Sequence, residues 1–155
     1  MTFTLRHLTP GDVPLLEAML TMFGDAFEEP AIYNGARPGP AYLSRLLARD
    51  HFIALAALEG ENVVGGIAAY VLDKFEQERS EIYVYDLAVS KAHRRRGIAT
   101  ALLRELQRIA VTRGAWVIFI QADKGDDPAI TLYSKLGRRE DVLHFDIEVP
   151  ASPPD

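Results

Sequence analysis

The stretch Tyr85-Asp-Leu-Ala-Val-Ser-Lys-Ala-His-Arg-Arg-Arg-Gly-Ile-Ala-Thr100 decides how this chain reads. It begins as an apolar strand, passes through a short polar turn and an arginine cluster, and ends in a helix start. Small residues at Gly97 and Ala99 let the chain turn tightly into the helix. A strand entering a helix in this way leaves several backbone N–H groups unused at the helix N-terminus. Together with the positive end of the helix dipole they make a seat for phosphate oxygens. Arg94, Arg95 and Arg96 add cationic charge at the same place. The spacing excludes two common phosphate loops. A dinucleotide fingerprint needs Gly-x-Gly-x-x-Gly and a P-loop needs Gly-x4-Gly-Lys-Ser/Thr. The chain carries Arg94-x-x-Gly97-x-Ala99 instead, directly after Leu87-Ala88-Val89.

Working outward, residues 81–89 form a β-prone run and residues 97–113 carry apolar side chains at helical spacing, closed by Gly114. The nearly continuous apolar run at 115–122 reads as a strand covered on both faces. Strand, helix and strand over 81–122 make a βαβ unit, right-handed by default. Upstream, 3–8 reads as a strand. Thr9-Pro10-Gly11-Asp12 reads as a helix start, with Thr9 as N-cap. The Gly- and Pro-rich residues 28–40 read as a loop, and 41–49 as a short helix. Residues 51–58 and 63–71 form a hairpin around Gly60-Glu61-Asn62. Downstream, 123–127 is an acidic loop, Pro128 opens a helix over 129–136, and 142–149 reads as a final strand. The expected organisation is α/β, one domain over 1–150 and a flexible tail over 151–155.

Composition narrows the chemistry. The 155 residues are 48% apolar and 25% charged, the balance of an ordinary globular protein. The absence of cysteine removes disulfides, thiolate nucleophiles and Cys-based zinc sites. The four histidines show no metal-ligand spacing, so no metal is expected. No apolar run approaches membrane-spanning length and the N-terminus does not read as a secretory signal, so a cytoplasmic location is expected. The net charge of −5 argues against a nucleic-acid partner and suits an anionic cofactor with a cationic substrate.

Arg94-x-x-Gly97-x-Ala99 resembles the acyl-CoA-binding signature of the GCN5-related N-acetyltransferase (GNAT) superfamily, and the element order βααβββαβαβ matches that fold across almost the whole chain. Four separated segments carry a closer resemblance, to the aminoglycoside 3-N-acetyltransferases of type I, the gentamicin-inactivating branch. They are residues 74–89, residues 93–102, Gln121-Ala-Asp-Lys-Gly-Asp-Asp-Pro-Ala129 and His144-Phe-Asp-Ile147. The resemblance implies a mixed twisted sheet of about six or seven strands flanked by about four helices. It implies acetyl-CoA as cofactor and direct transfer of acetyl to the 3-amino group of a deoxystreptamine ring, which confers antibiotic resistance. The pyrophosphate would lie on the amides of Arg95, Arg96, Gly97, Ile98, Ala99 and Thr100 and on the side chains of Arg94, Arg95 and Arg96. Leu87, Ala88 and Val89 would offer backbone contacts to the pantetheine arm. Tyr133 matches the tyrosine that protonates the leaving thiolate, although Asp127 stands where many members have Asn.

Residue chemistry supplies the base. Asp86 is a carboxylate inside an apolar strand, costly to bury without a role. It reads as the base or as an ion-pair partner of a nearby arginine, and Glu81, acting through water, is the second candidate. Tyr83 and Tyr85 alternate with Asp86 and face away from it unless a bulge intervenes; Tyr85 is expected at the substrate. Glu28, Asp123, Asp126, Asp127 and Asp146 are the carboxylates expected to meet a polycationic aminoglycoside. Two rival readings are acetylation of another amine (polyamine, amino sugar or protein N-terminus) and a non-catalytic acyl-CoA-binding module. A homodimer, paired through the final strand, is a further expectation.

Overall fold

A computed structural model describes residues 2–153. They form two compact units, Met1–Gln121 and Ala122–Asp155. The first contains a five-stranded sheet in the order β1(Thr4–His7), β2(Phe52–Glu59), β3(Asn62–Asp73), β4(Ser80–Val89), β5(Ala115–Ile120). Neighbours are antiparallel except β4 and β5, which run parallel. Between β1 and β2 lie α1(Val13–Ala26), α2(Pro30–Asn34) and α3(Pro40–Leu47), and α4(Ile98–Thr112) links β4 to β5. The second unit holds α5(Asp127–Leu136) and the chain that follows it. The mixed sheet and α/β class agree with the expected GNAT fold, with five strands instead of six or seven and five α-helices instead of four.

Three local expectations are corrected. The stretch read as a loop over 28–40 contains α2, which starts at Pro30 because the Glu29 carbonyl accepts the Ile32 and Tyr33 amides. β5 is an edge strand and not covered on both faces: Trp116 is 56% exposed and the others are half-buried. Residues 142–149 form no strand, because a strand exists only as a ladder and no described strand pairs with them. Of the expected tail, residues 154 and 155 lie outside the described residues.

Two adjacent glycines of β3 show how the layers meet. Successive strand residues point to opposite faces. A Cβ on Gly65 would lie 2.9 Å from Ile98 and 3.4 Å from Leu102 of α4, whereas one on Gly66 would strike Met19 of α1. Helices therefore press on both sides of the sheet at the same level. Phe52, Ala54 and Ala56 face α1 and α3, forming a core with Leu16, Met19, Phe23, Leu43 and Leu47. Each large side chain buried there stabilises the fold by about 1.5–3 kcal/mol relative to exposure.

The entry to α1 is fixed by Asp12, one of two buried polar residues among those described. Its carboxylate accepts from the Thr9 amide at 2.8 Å, the Thr9 hydroxyl at 3.1 Å and the Arg6 guanidinium at 2.7 Å. Burial alone would raise this carboxyl; the Thr9 and Arg6 bonds outweigh it and hold the group below the usual aspartate range. Asp12→Ala is therefore expected to lower stability by about 0.5–2 kcal/mol, the range for a lost helix cap, in chemical denaturation at neutral pH. Because the folded-state pKa is depressed, the wild type should lose the same contribution only as pH falls through that lowered value.

Candidate active site

The register of β3 against β4 slips at one point. Ala68 pairs with Asp86 and Ala69 pairs with Val84, so Tyr85 is an extra, unpaired residue. This is a β-bulge, and it changes which side chains share a face. Tyr70 pairs with Tyr83, and Ala68 and Tyr70 are two apart on β3, so Asp86 and Tyr83 project from the same face. Without the extra residue the alternation would place them on opposite faces. The bulge that the sequence left open is present.

Four tyrosines surround Asp86 as a result. The Tyr33 hydroxyl donates to Asp86 Oδ1 at 2.8 Å. Tyr85 meets Tyr70 edge-on at 6.1 Å between ring centroids and lies 5.5 Å from Tyr83. Tyr83 stacks on Phe119 at 4.7 Å and donates to Gln121 at 2.9 Å. Burial pushes the Asp86 carboxyl above the usual aspartate range, and the Tyr33 bond pulls it back part of the way. Tyr70 and Tyr83 are pushed upward, by burial first and with a contribution from the Asp86 charge, so both keep their protons at neutral pH. Among the described residues, the hydrogen-bond partner of Asp86 is a tyrosine and no arginine forms an ion pair with it.

Tyr33 is the residue that the sequence reading missed. It lies on α2, inside the stretch taken for a loop, and packs against Phe23 and Phe27 of the α1 end. Its only signal was an aromatic residue within a Gly- and Pro-rich segment. Contact with Asp86 spans 53 positions and no local pattern announces it.

Just beyond the bulge the sheet opens. β4 pairs with β5 only from Ser80 to Val84, and residues 85–89 have no β5 partner although β4 continues to Val89. Leu87, Ala88 and Val89 keep their ladder to β3 on one edge and, among the described residues, have no strand partner on the other. The chain then reaches α4. Gly97 is left-handed at φ +78°, no side chain caps α4, and the first main-chain bond of this turn is Ala101 N–H to the Gly97 carbonyl. The amides of Ile98, Ala99 and Thr100 thus precede the first intrahelical donor. Arg95 also adopts a left-handed φ, +63°, which is uncommon for a residue with a side chain. Arg94 donates to the Val89 carbonyl at 3.2 Å, and Arg96 pairs with Glu59 at 3.0 Å, bracing the turn against β2.

Each remaining expected residue has its own local surroundings. Glu81 accepts from the Trp116 indole at 3.1 Å and faces Lys74 at 3.7 Å; it lies five residues before Asp86, roughly 16 Å along an extended strand. Glu28 is exposed and paired with Lys91 at 2.7 Å. In the second unit, Asp126 caps α5 by accepting from the Ala129 amide at 3.4 Å, and Asp146 pairs with His144 at 2.8 Å. Asp123 and Asp127 have exposed side chains. Tyr133 is pushed up to about 12 by burial and by the Asp126 charge, so it holds its proton at neutral pH.

Residues 16–137, both the bulged strand and the α4 turn included, match the model of the Acetyltransferase (GNAT) family. The chain belongs to this family. Its structure is similar to that of an aminoglycoside acetyltransferase from an uncultured soil metagenomic sample: 60% identity, TM-score 0.95, covering 97% of this chain and 100% of the other. A second soil metagenomic aminoglycoside acetyltransferase, in complex with sisomicin, is 29% identical with a TM-score of 0.88, over 96% and 97% of the two chains. Among curated proteins, N-acetyltransferase 8B of Rattus norvegicus is 32% identical over 57% of this chain, and the match spans only 40% of that relative's length.

The GNAT site geometry makes one residue directly testable. Removing the hydroxyl in Tyr33→Phe deletes the bond that stabilises the ionised form of Asp86. The carboxyl should then titrate at higher pH than in the wild type, read by carbon-13 NMR of labelled aspartate. Unchanged titration would mean that the 2.8 Å bond carries no weight in solution.

Proposed function

We propose that this chain is an acetyl-CoA-dependent aminoglycoside N-acetyltransferase that modifies the 3-amino group of the deoxystreptamine ring. The observation that carries the reading is the half-buried Asp86, set by a bulge among tyrosines and directly before the free edge of β4. The 60% identity to an aminoglycoside acetyltransferase favours the substrate class, and the segment resemblance to the type I enzymes supports the 3-amino position. In this reading residues 1–150 serve as one acetyltransferase domain, since the family match runs through both units.

The residues present fit the cofactor. An uncapped helix start with a left-handed Gly97, beside the exposed Arg94 and Arg95, offers donors and charge to a pyrophosphate. No atom lies within 4 Å of a Cβ built on Gly97, so the approach is open. Arg96, Ile98, Ala99 and Thr100 complete the turn, and the free edge at Leu87, Ala88 and Val89 offers main-chain groups to an extended amide arm. Bound there, acetyl-CoA supplies the activated acetyl group.

Each protein group then has one task. Asp86 accepts a proton from the substrate ammonium, which leaves a nucleophilic amine; its raised pKa matches it to that work better than an ordinary aspartate. An amide on the free edge of β4 is positioned to stabilise charge on a carbonyl oxygen. Tyr133, protonated at neutral pH, serves as the acid for the departing thiolate. Glu81 is the alternative base through water, disfavoured by its bonds to Trp116 and Lys74. Tyr85, 64% exposed, walls the substrate side. Asp123 and Asp127 are the carboxylates best placed by exposure to receive ammonium groups; Glu28, Asp126 and Asp146 already have local partners.

Free-thiol release from acetyl-CoA, measured with gentamicin, sisomicin, kanamycin, spermidine and a short peptide, tests the proposal. Turnover with gentamicin and sisomicin, and a product acetylated at the 3-amino nitrogen by NMR, is expected. Turnover only with spermidine or peptide would move the activity to another amine, and CoA binding without turnover would leave a binding module. Asp86→Ala should lower kcat sharply with CoA affinity near normal. Tyr133→Phe should slow turnover by about ten- to a hundredfold, within the general-acid range. A full-rate variant would remove either residue from its role. Because Asp86 must be ionised, kcat should fall as pH drops through its raised pKa, and Tyr33→Phe should move that limb to higher pH.

A further inference from the structure

Gly24 is a buried residue in the last turn of α1, a place where alanine would be the better helix former. What it makes room for is α2. A Cβ at Gly24 would lie 3.2 Å from the Pro30 Cα, 3.3 Å from the Tyr33 Cβ and 2.5 Å from the Asn34 Nδ2. All three neighbours belong to α2. The short helix therefore rests directly on the α1 backbone at this point. The Gly24 carbonyl also accepts the Glu29 amide at 2.9 Å, so the turn between the two helices closes on the same residue.

The nearest of those neighbours is not free to swing aside. Asn34 Oδ1 accepts from the Arg37 guanidinium, which also donates to the Thr21 hydroxyl at 2.8 Å. Thr21 and Gly24 are three positions apart on α1 and share one face of it. Arg37 thus ties the end of α2 to α1 beside the glycine. Tyr33 is fixed from the other direction, by its edge-on contact with Phe23 and its tilted contact with Phe27. A helix of five residues does not hold itself in water, so the placement of α2 comes from these contacts. The direction in which Tyr33 points follows from that seat, and it ends at Asp86.

We propose that Gly24 and Arg37 are positioning residues, which seat α2 on α1 so that the Tyr33 hydroxyl reaches the Asp86 carboxylate. Neither takes part in that bond. Asp86 is also faced by Tyr70 of β3 and Tyr83 of β4, both protonated at neutral pH, but its hydrogen bond comes from Tyr33. A side chain at Gly24 would push α2 off its seat by a few tenths of an ångström or more, and a hydrogen bond loses strength steeply once distance and alignment are lost. What the bond does for turnover rests on the acyl-transfer reading; the placement of Tyr33 does not.

The test uses the full chain without ligand. The Asp86 titration is followed by carbon-13 NMR of labelled aspartate in the wild type, Gly24→Ala, Arg37→Met and Tyr33→Phe, with folding checked by circular dichroism. Gly24→Ala and Arg37→Met are each expected to move the titration to higher pH, in the direction of Tyr33→Phe. A Gly24→Ala, Tyr33→Phe double variant should titrate like Tyr33→Phe alone, because both substitutions act through one bond. A merely structural role would change stability and leave the titration in place. Should the alanine variant not fold, Arg37→Met decides. A wild-type titration in either folded variant would overturn the proposal, as would full additivity in the double variant. In turnover, the acid limb of kcat should move upward with the titration while KM for acetyl-CoA stays unchanged. Shifted titrations in a protein that transfers no acetyl group would remove the acyl-transfer reading and leave this one standing.

Discussion

One extra residue in β4 governs the candidate site. A strand alternates its side chains between faces, so Asp86 and Tyr83 can share a face only if the count between them is shifted by one. Tyr85 provides that shift by lying outside the β3 ladder. It does so where β4 also parts from β5, so the carboxylate and the free strand edge occur within a few residues of each other. Bulges bend and twist the strand that contains them, and the separation of β4 from β5 directly beyond Val84 is in keeping with that.

The carboxylate then depends on a long-range contact. Desolvation disfavours the Asp86 charge, and the Tyr33 hydroxyl offsets part of that penalty. Tyr33 is held by an edge-on contact with Phe23 and a tilted contact with Phe27, at the end of the same helix whose Met19 closes on Gly66. The packing of α1 on the sheet and the basicity of Asp86 are therefore linked through one aromatic cluster. A proton acceptor raised above an ordinary aspartate, yet still bonded in its charged form, is the combination that general-base work at an ammonium needs.

The α4 turn is organised by a different means. Its donors exist because the helix begins at a left-handed glycine with no capping side chain, so backbone amides stay unused. Arg96 is committed to Glu59, while Arg94 and Arg95 are exposed. The run of three arginines thus divides its labour between bracing the turn and presenting charge.

Local sequence determined much of this. The Arg94-x-x-Gly97-x-Ala99 spacing, the periodicity of α4 and the hairpin around Gly60 are short-range patterns, and each element they predicted is present within a residue or two. Asp86 stood out because a charge within an apolar strand is costly wherever it lies. Tertiary structure decided the rest. The bulge is a property of two strands in register and is invisible in either alone. Tyr33 reaches Asp86 only because a segment rich in Gly and Pro forms α2 against α1. The periodicity of residues 142–149 announced a strand correctly as a pattern, but a strand requires a neighbour, and no described strand in the chain supplies one. Periodicity sets which face a side chain takes; only the partner decides whether that face is buried.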